Sequence, residues 1–194
     1  MTGKTQISKA LCEALGVPYF KASNEHKTYL KEPKNFVQQL RHADTRLVDF
    51  LAQTGASVVM DRAWPCEWVY SQVLDRPTDL EVLRYVDKKF AEINAKVVIC
   101  VRESFSGWKD DLDPKLNEEM LYRLKDKYLE FRQVTRCESM VLKVDDEDKH
   151  REVHNILTWL QEMGLADHIT IGRSDRPPAT KAPGTGATLH KPPT

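Results

Sequence analysis

The chain has 194 residues, enough for one domain with a sizeable core, and its 29 basic residues match its 29 acidic ones. That balance gives no global positive field, so neither a nucleic acid nor an anionic membrane is the expected partner. No apolar run approaches the roughly 20 residues needed to span a bilayer. The four cysteines, Cys12, Cys66, Cys100 and Cys137, stand apart with no paired spacing. They read as reduced thiols, and with Met1 leading straight into polar residues a cytoplasmic location is expected.

Met1-Thr2-Gly3-Lys4-Thr5 matches the back of a phosphate-binding loop. The full motif, G-x-x-x-x-G-K-[ST], comes off a buried strand and opens a helix. Gly3, Lys4 and Thr5 fill its last three places, and its first glycine would fall ahead of Met1. A helix is expected to follow, with Ile7, Leu11, Ala14 and Leu15 on one stripe and Gly16 closing it. On its own the triplet is also compatible with an unremarkable N-terminal helix.

Strand and helix patterns then alternate, which predicts a layered α/β fold with a parallel sheet. A short strand is expected at Val17–Phe20 and a helix at Lys34–Gln53, ended by Gly55. Ser57–Met60 reads as a buried strand ending at Asp61-Arg62. A helix through Trp68 to Leu74 follows, then another from Thr78 to Ile93, whose Thr78-Asp79-Leu80-Glu81 start has the form of a capping box. Lys96–Val101 is continuously apolar after its first residue, as a strand covered on both faces should be. After a loop at Arg102–Asp113, a helix is expected over Pro114–Thr135, with Leu121, Leu124, Tyr128 and Phe131 on one face. A strand at Met140–Val144 and a helix at Lys149–Met163 complete a domain over residues 1–167. Residues 168–194 read as a disordered tail, since from Ile171 onward they hold five prolines and three glycines. His150 and His154 sit four apart, but with no third ligand nearby a solvated helix face is the better reading.

Asp61-Arg62 is the second chemical signal. Strand ends in parallel sheets face the ligand crevice. An acid there can hold Mg²⁺ or act as a base, and the adjacent arginine fork suits a phosphate. An ion pair closing the strand end is the bland alternative.

The stretch Asp61-Arg62-Ala63-Trp64-Pro65-Cys66-Glu67-Trp68-Val69-Tyr70-Ser71 resembles the thymidylate kinase signature D-R-Y-x-x-S-x-x-A-Y-Q. Asp61, Arg62 and Tyr70 match, Cys66 stands where Ser is usual and Val69 where Ala is, and Ala63 and Ser71 depart from the usual Tyr and Gln. Together with Gly3-Lys4-Thr5, the chain is most similar to divergent, bacteriophage-type thymidylate and deoxynucleotide kinases over most of Met1–Met163. The resemblance implies a three-layer P-loop kinase fold and an ATP- and Mg²⁺-dependent transfer to a deoxynucleoside monophosphate, with dTMP preferred. It implies ATP contacts from Thr2, Gly3, Lys4 and Thr5, and Mg²⁺ held by Thr5 and Asp61. Catalytic roles fall to Lys4, Asp61, Arg62 and Arg102, and acceptor contacts to Arg62, Trp64, Cys66, Tyr70 and Lys109. Of the aromatic rings Trp64, Trp68 and Tyr70, only one is expected to touch a base, and Tyr70 is the choice. Arg102 and Lys109 are the cations of a lid around Gly107, while Asp110, Asp111 and Asp113 read as solvated. A kinase of deoxynucleosides or of a modified base in DNA remains an alternative, as does a binding protein without turnover. A homodimer is left open.

In such kinases the strand feeding the phosphate loop is central in a five-stranded sheet. Four strand patterns follow Gly3 and none precedes it. A chain starting at Met1 is therefore expected to be poorly stable and to bind ATP weakly. Met1 is expected to be an internal methionine, with roughly 10–15 further residues ahead of it.

Overall fold

The computed structural model describes residues 3–21, 33–106, 117–144 and 148–165, with the side chains of 33–43 outside that description. Helix α1, Lys4–Leu15, buries Ile7, Leu11 and Cys12 along one stripe. It is bounded by two glycines in the left-handed region, each at φ 67°. Such a φ strains any residue with a Cβ, which accounts for glycine at both ends. Strand β1, Tyr19–Lys21, leads towards α2, Pro33–Thr54, and then β2, Val59–Asp61.

Helix α3, Trp64–Val73, carries Pro65 in its first turn, where a missing N–H costs nothing. Helix α4, Leu80–Glu92, is capped by the Asp79 carboxylate, which accepts from the N–H groups of Glu81 and Val82. The cap is thus Asp79 and not the Thr78 of the expected capping box, a one-residue shift that keeps the side-chain acceptor. Strand β3, Lys96–Val101, precedes α5, Glu118–Val134, whose first turn is capped by Asn117. Strand β4, Glu138–Lys143, and α6, Lys149–Glu162, capped by Asp148, end the described chain. Residues 114–116 and the tail from 166 lie outside the described residues, as does the expected lid over 107–113.

The strands form two parallel pairs, β1 with β2 and β3 with β4. Tyr19 pairs with Val59 and Lys21 with Asp61 in the first. In the second, Lys96 pairs with Glu138 and Val101 with Lys143. Helices cover both faces. On one side α2, α3, α4 and α5 pack Val48, Leu51, Val69, Leu83, Phe90, Leu124 and Phe131 against Val97, Ile99 and Val101. On the other, Ile7 and Leu11 of α1 meet Leu142, Val144, Ile156 and Leu157. This is the three-layer α/β arrangement expected from the sequence. Strand β3 departs from the expected continuous burial, because Val97, Ile99 and Val101 are buried while Val98 and Cys100 are only half-buried. Among the described residues, no helix is long and apolar enough to cross a membrane.

Candidate active site

The site grows from the C-terminal ends of β1 and β2, which lie beside the N-terminus of α1. Gly3 offers no side-chain cap, and no acidic residue occupies the first turn of α1. The Gln6 and Ile7 N–H groups donate to Gly3 O, and no side chain caps the N–H groups ahead of them, a helix start of the kind that receives phosphates. Asp61, 4% exposed, ends β2 directly beneath it.

The Thr5 hydroxyl donates to Asp61 Oδ2 at 2.6 Å, and the Tyr19 hydroxyl donates to the same oxygen at 2.9 Å. Lys21 Nζ lies 3.5 Å from that oxygen and 3.4 Å from Thr5 Oγ1. Burial alone would raise the Asp61 pKa. The hydrogen bonds from Thr5 and Tyr19 and the charges of Lys21 and Arg62 outweigh it and hold the carboxyl below the ordinary aspartate value. Tyr19 moves the other way: burial first, then its bond to Asp61, pushes the phenol up to about 12. Lys4 is half-buried, and it and Asp61 both act electrostatically on Cys100, whose thiol burial pushes up to about 11. The phosphate-loop triplet and the Asp61-Arg62 signal, 56 residues apart from Thr5 to Asp61, thus meet across one hydrogen bond.

Arg62 follows at φ 74°, a conformation unfavourable for a residue with a Cβ and one that recurs at functional sites. The residue is exposed overall, but its guanidinium is partly desolvated; burial would lower its pKa, and Cys66, Tyr70, Tyr128 and Asp61 together outweigh that and raise it. The Tyr128 hydroxyl donates to Cys66 Sγ at 3.2 Å, tying α5 to α3 behind Arg62. Tyr70 is half-buried on the same side. Arg62, Cys66, Tyr70 and Tyr128 therefore form a second group next to the first, joined through the Asp61-Arg62 peptide.

Trp64 does not belong to it. This residue is 4% exposed, its ring stacks on Phe90 with centroids 4.1 Å apart, and its indole N–H donates to Asp87 Oδ1 at 3.0 Å. Both the face and the polar edge of the ring are engaged inside the core, so the expected acceptor contact from Trp64 is corrected to a structural one. Trp68 likewise packs on Phe131, at 5.4 Å. Arg102 is half-buried just beyond β3, while its neighbour Glu103 pairs with Lys143. Thr2 and Lys109 lie outside the described residues, together with Gly107, Asp110, Asp111 and Asp113.

Sequence reasoning missed Tyr19, Lys21 and Tyr128. Lys21 ends a parallel strand opposite Asp61, a position that signals ligand contact as it did for Asp61, while Tyr19 begins that strand and reaches Asp61 through its long side chain. Tyr128 was read as core alone, because its helical spacing matches Leu121, Leu124 and Phe131. A further buried group went unread altogether. Asp44 of α2, 7% exposed, faces Glu67 of α3, 8% exposed, which pairs with Arg76 at 3.1 Å. Burial, and then the Glu67 charge, push Asp44 up to about 7.

The Thr5 hydroxyl and the Asp61 carboxylate offer two hard oxygens at the helix N-terminus, where the Lys21 ammonium now supplies the positive charge that a bound cation would replace. Mg²⁺ accepts such a set, since it keeps several waters and takes only one or two protein oxygens. The residues present fit the ion. Among the described residues, no cluster of three or more His, Cys, Asp or Glu ligands forms a protein-only metal cage.

No protein-family model matches the chain, and no curated protein does. Solved structures do. The YorR protein of Bacillus subtilis, solved in complex with phosphorylated GDP, aligns with a TM-score of 0.61 at 18% identity, over 86% of this chain and 93% of that one. Deoxyadenosine kinase of M. mycoides, solved with bound dATP, aligns with a TM-score of 0.53 at 20% identity, over 82% of this chain and 94% of that one. At these identities the likeness establishes the fold, the parallel α/β architecture of P-loop kinases.

Proposed function

We propose that this chain transfers the γ-phosphoryl group of ATP to a deoxynucleoside monophosphate, with dTMP the preferred acceptor. One observation carries the reading: Thr5, at the head of α1, and Asp61, at the end of β2, are joined at 2.6 Å, with Lys21 beside both. Phosphoryl transfer asks for positioning and charge compensation rather than covalent chemistry, and this cluster is built for both. The fold shared with proteins solved with phosphorylated GDP and with dATP is consistent with it.

In this reading the N–H groups at the start of α1 and the Lys4 ammonium hold the donor phosphates and offset the charge that spreads onto the transferred group. Thr5 and Asp61 hold Mg²⁺, which when bound neutralises phosphate oxygens. Lys21 keeps the Asp61 carboxyl ionised and oriented. Arg62, held at its left-handed backbone position beside Asp61, grips the acceptor phosphate, with Tyr70 beside the acceptor nucleoside. Arg102 supplies a cation from the end of β3. The protein works in the cytoplasm, and residues 1–167 form its catalytic domain.

The test is product analysis with labelled ATP against nucleosides, nucleoside monophosphates and oligonucleotides. Transfer to dTMP above the other acceptors is expected. Transfer only to nucleosides or to DNA would replace the acceptor, and ATP binding without any transfer would replace the enzyme reading with a binding role. Arg62→Ala is expected to raise the acceptor KM about 10- to 100-fold, the loss of a charged hydrogen-bonding partner, with ATP affinity kept. Equal loss of both would mean Arg62 serves the donor instead.

A further inference from the structure

Three side chains meet at one oxygen of Asp61. The Thr5 and Tyr19 hydroxyls donate to Oδ2 at 2.6 and 2.9 Å, and Lys21 Nζ stands 3.5 Å from it. Lys21 Nζ also lies 3.4 Å from Thr5 Oγ1, so one ammonium faces both oxygens that fit Mg²⁺. The strand register sets this up. Lys21 and Asp61 each end a strand, and the parallel pairing of β1 with β2 places them opposite one another. The Asp61 side chain is sealed at 4% exposure, whereas that of Lys21 keeps 28% and so borders solvent.

The three partners differ in what they do when a cation takes those oxygens. A hydroxyl oxygen accepts as well as donates, so Thr5 keeps its bond to Asp61 while offering lone pairs to a metal, and Tyr19 needs no change. An ammonium has donors only and ligates nothing. It also repels the newcomer. An ion holding both oxygens at the usual Mg²⁺ distance stands within about 5 Å of Lys21 Nζ, where like charges cost binding energy. Of the three, Lys21 alone must withdraw, and its flexible, partly exposed stem allows it.

We infer that Lys21 is a built-in counter-ion that competes with the divalent cation for Thr5 and Asp61 and yields only to an ion delivered with its polyphosphate. Lys21 already balances the Asp61 charge, so a bare divalent ion leaves the site with excess positive charge. Lys4 and Arg62, each next in sequence to one of the two oxygen ligands, add to the positive charge that such an ion meets. Phosphate oxygens arriving with the ion remove the excess and give the displaced ammonium a new partner. Lys21 thereby controls the order of binding, a role that rests on the proposed function of Thr5 and Asp61 as Mg²⁺ ligands. An ion pair that merely closed the strand ends would leave metal binding indifferent to Lys21.

Mn²⁺ alone is the probe, titrated into the nucleotide-free protein while the free ion is read by electron paramagnetic resonance. Lys21→Met, which keeps the length of the stem and removes the charge, is expected to bind Mn²⁺ at least about 10-fold more tightly than the parent. Lys21→Arg, which restores the charge, should stay at the parent level. Unchanged affinity in Lys21→Met would overturn the proposal. So would a gain that survives the further change Asp61→Asn, because the ion then sits elsewhere. Should Lys21→Met fail to melt cooperatively, amine acetylation of the parent decides. Mn²⁺ with ADP is expected to raise labelling of Lys21 several-fold and to leave Lys88, exposed on α4, unchanged. Equal labelling of Lys21 with and without them would overturn the displacement. The Mn²⁺ titration needs no turnover, so a gain in Lys21→Met alongside a parent that transfers no phosphate keeps this proposal and removes only the kinase reading.

Discussion

Asp61 and Asp44 are buried to nearly the same degree, 4% and 7% exposed, and the fold treats them in opposite ways. Asp61 receives two hydroxyl donors and an ammonium and is held ionised. Asp44 is pushed up to about 7, first by its burial and then by the facing carboxylate of Glu67. Burial raises both acids; the donors and the ammonium around Asp61 reverse that, whereas the Glu67 carboxylate adds to it at Asp44. The charged acid lies at the strand ends, where a phosphate ligand and its cation would meet it. The raised one lies between α2 and α3, where its proton relieves a like-charge contact.

The largest test of this contrast is Asp44→Asn. The folded value lies above the ordinary aspartate value, so the proton is held more tightly when folded. That contribution is complete below about pH 4 and is lost as pH rises through about 7. The variant should match the parent at pH 4 and exceed it at pH 8, by at most on the order of 4 kcal/mol. Denaturant midpoints at the two pH values measure it. Parallel curves would mean that Asp44 shares its proton with Glu67 or is hydrated.

Asp61→Asn should bend the profile the other way. The folded value is depressed, so its contribution is present above the ordinary aspartate range and disappears as pH falls below it. The variant should lose about 1.5–3 kcal/mol at pH 7, the worth of charged hydrogen bonds, with the gap closing towards pH 2. A gap that is constant with pH would point to packing rather than charge. Combining the two variants should give additive changes, since Asp61 answers to Thr5, Tyr19 and Lys21 and Asp44 to Glu67.

Trp64→Phe sharpens the comparison through a third acid. Asp87, 6% exposed, accepts from the Trp64 indole, the Thr135 hydroxyl and the Arg136 N–H. Losing one donor of three while keeping the ring stacked on Phe90 should cost about 1–2 kcal/mol. A melting curve reads the loss, and nucleotide affinity should stay unchanged because the ring is sealed in the core. Altered acceptor use in this variant would restore Trp64 to the site.

How much of this was legible beforehand follows from how far apart the partners lie. The α/β order, the glycine stops and the positions of Gly3, Lys4, Thr5 and Asp61 at a helix head and a strand end are local patterns, legible in the sequence. Lys21 reaches Asp61 only because β1 and β2 pair in the register that sets those two residues opposite. No local pattern encodes that register. Asp44 and Glu67 meet through the packing of two helices, and polar residues on amphipathic helices are ordinarily read as solvated. Trp64 was misread because its nearness to Asp61-Arg62 in sequence suggested the site, whereas Asp87, 23 residues on, draws the ring inward.

The smallest expected effect belongs to Tyr128→Phe. Its hydroxyl donates to Cys66 Sγ, and sulfur is a weak acceptor, so the bond itself should be worth about 0.5 kcal/mol or less. Removing the oxygen leaves the ring, so the packing of α5 on α3 should hold and the melting temperature should barely move. The Arg62 guanidinium, however, has Cys66, Tyr70 and Tyr128 around it. If that group receives the acceptor, as proposed, the variant should change acceptor KM several-fold while ATP affinity and stability remain. If stability falls instead and acceptor use does not change, Tyr128 is a core residue with a satisfied hydroxyl, and Arg62 meets its ligand without it.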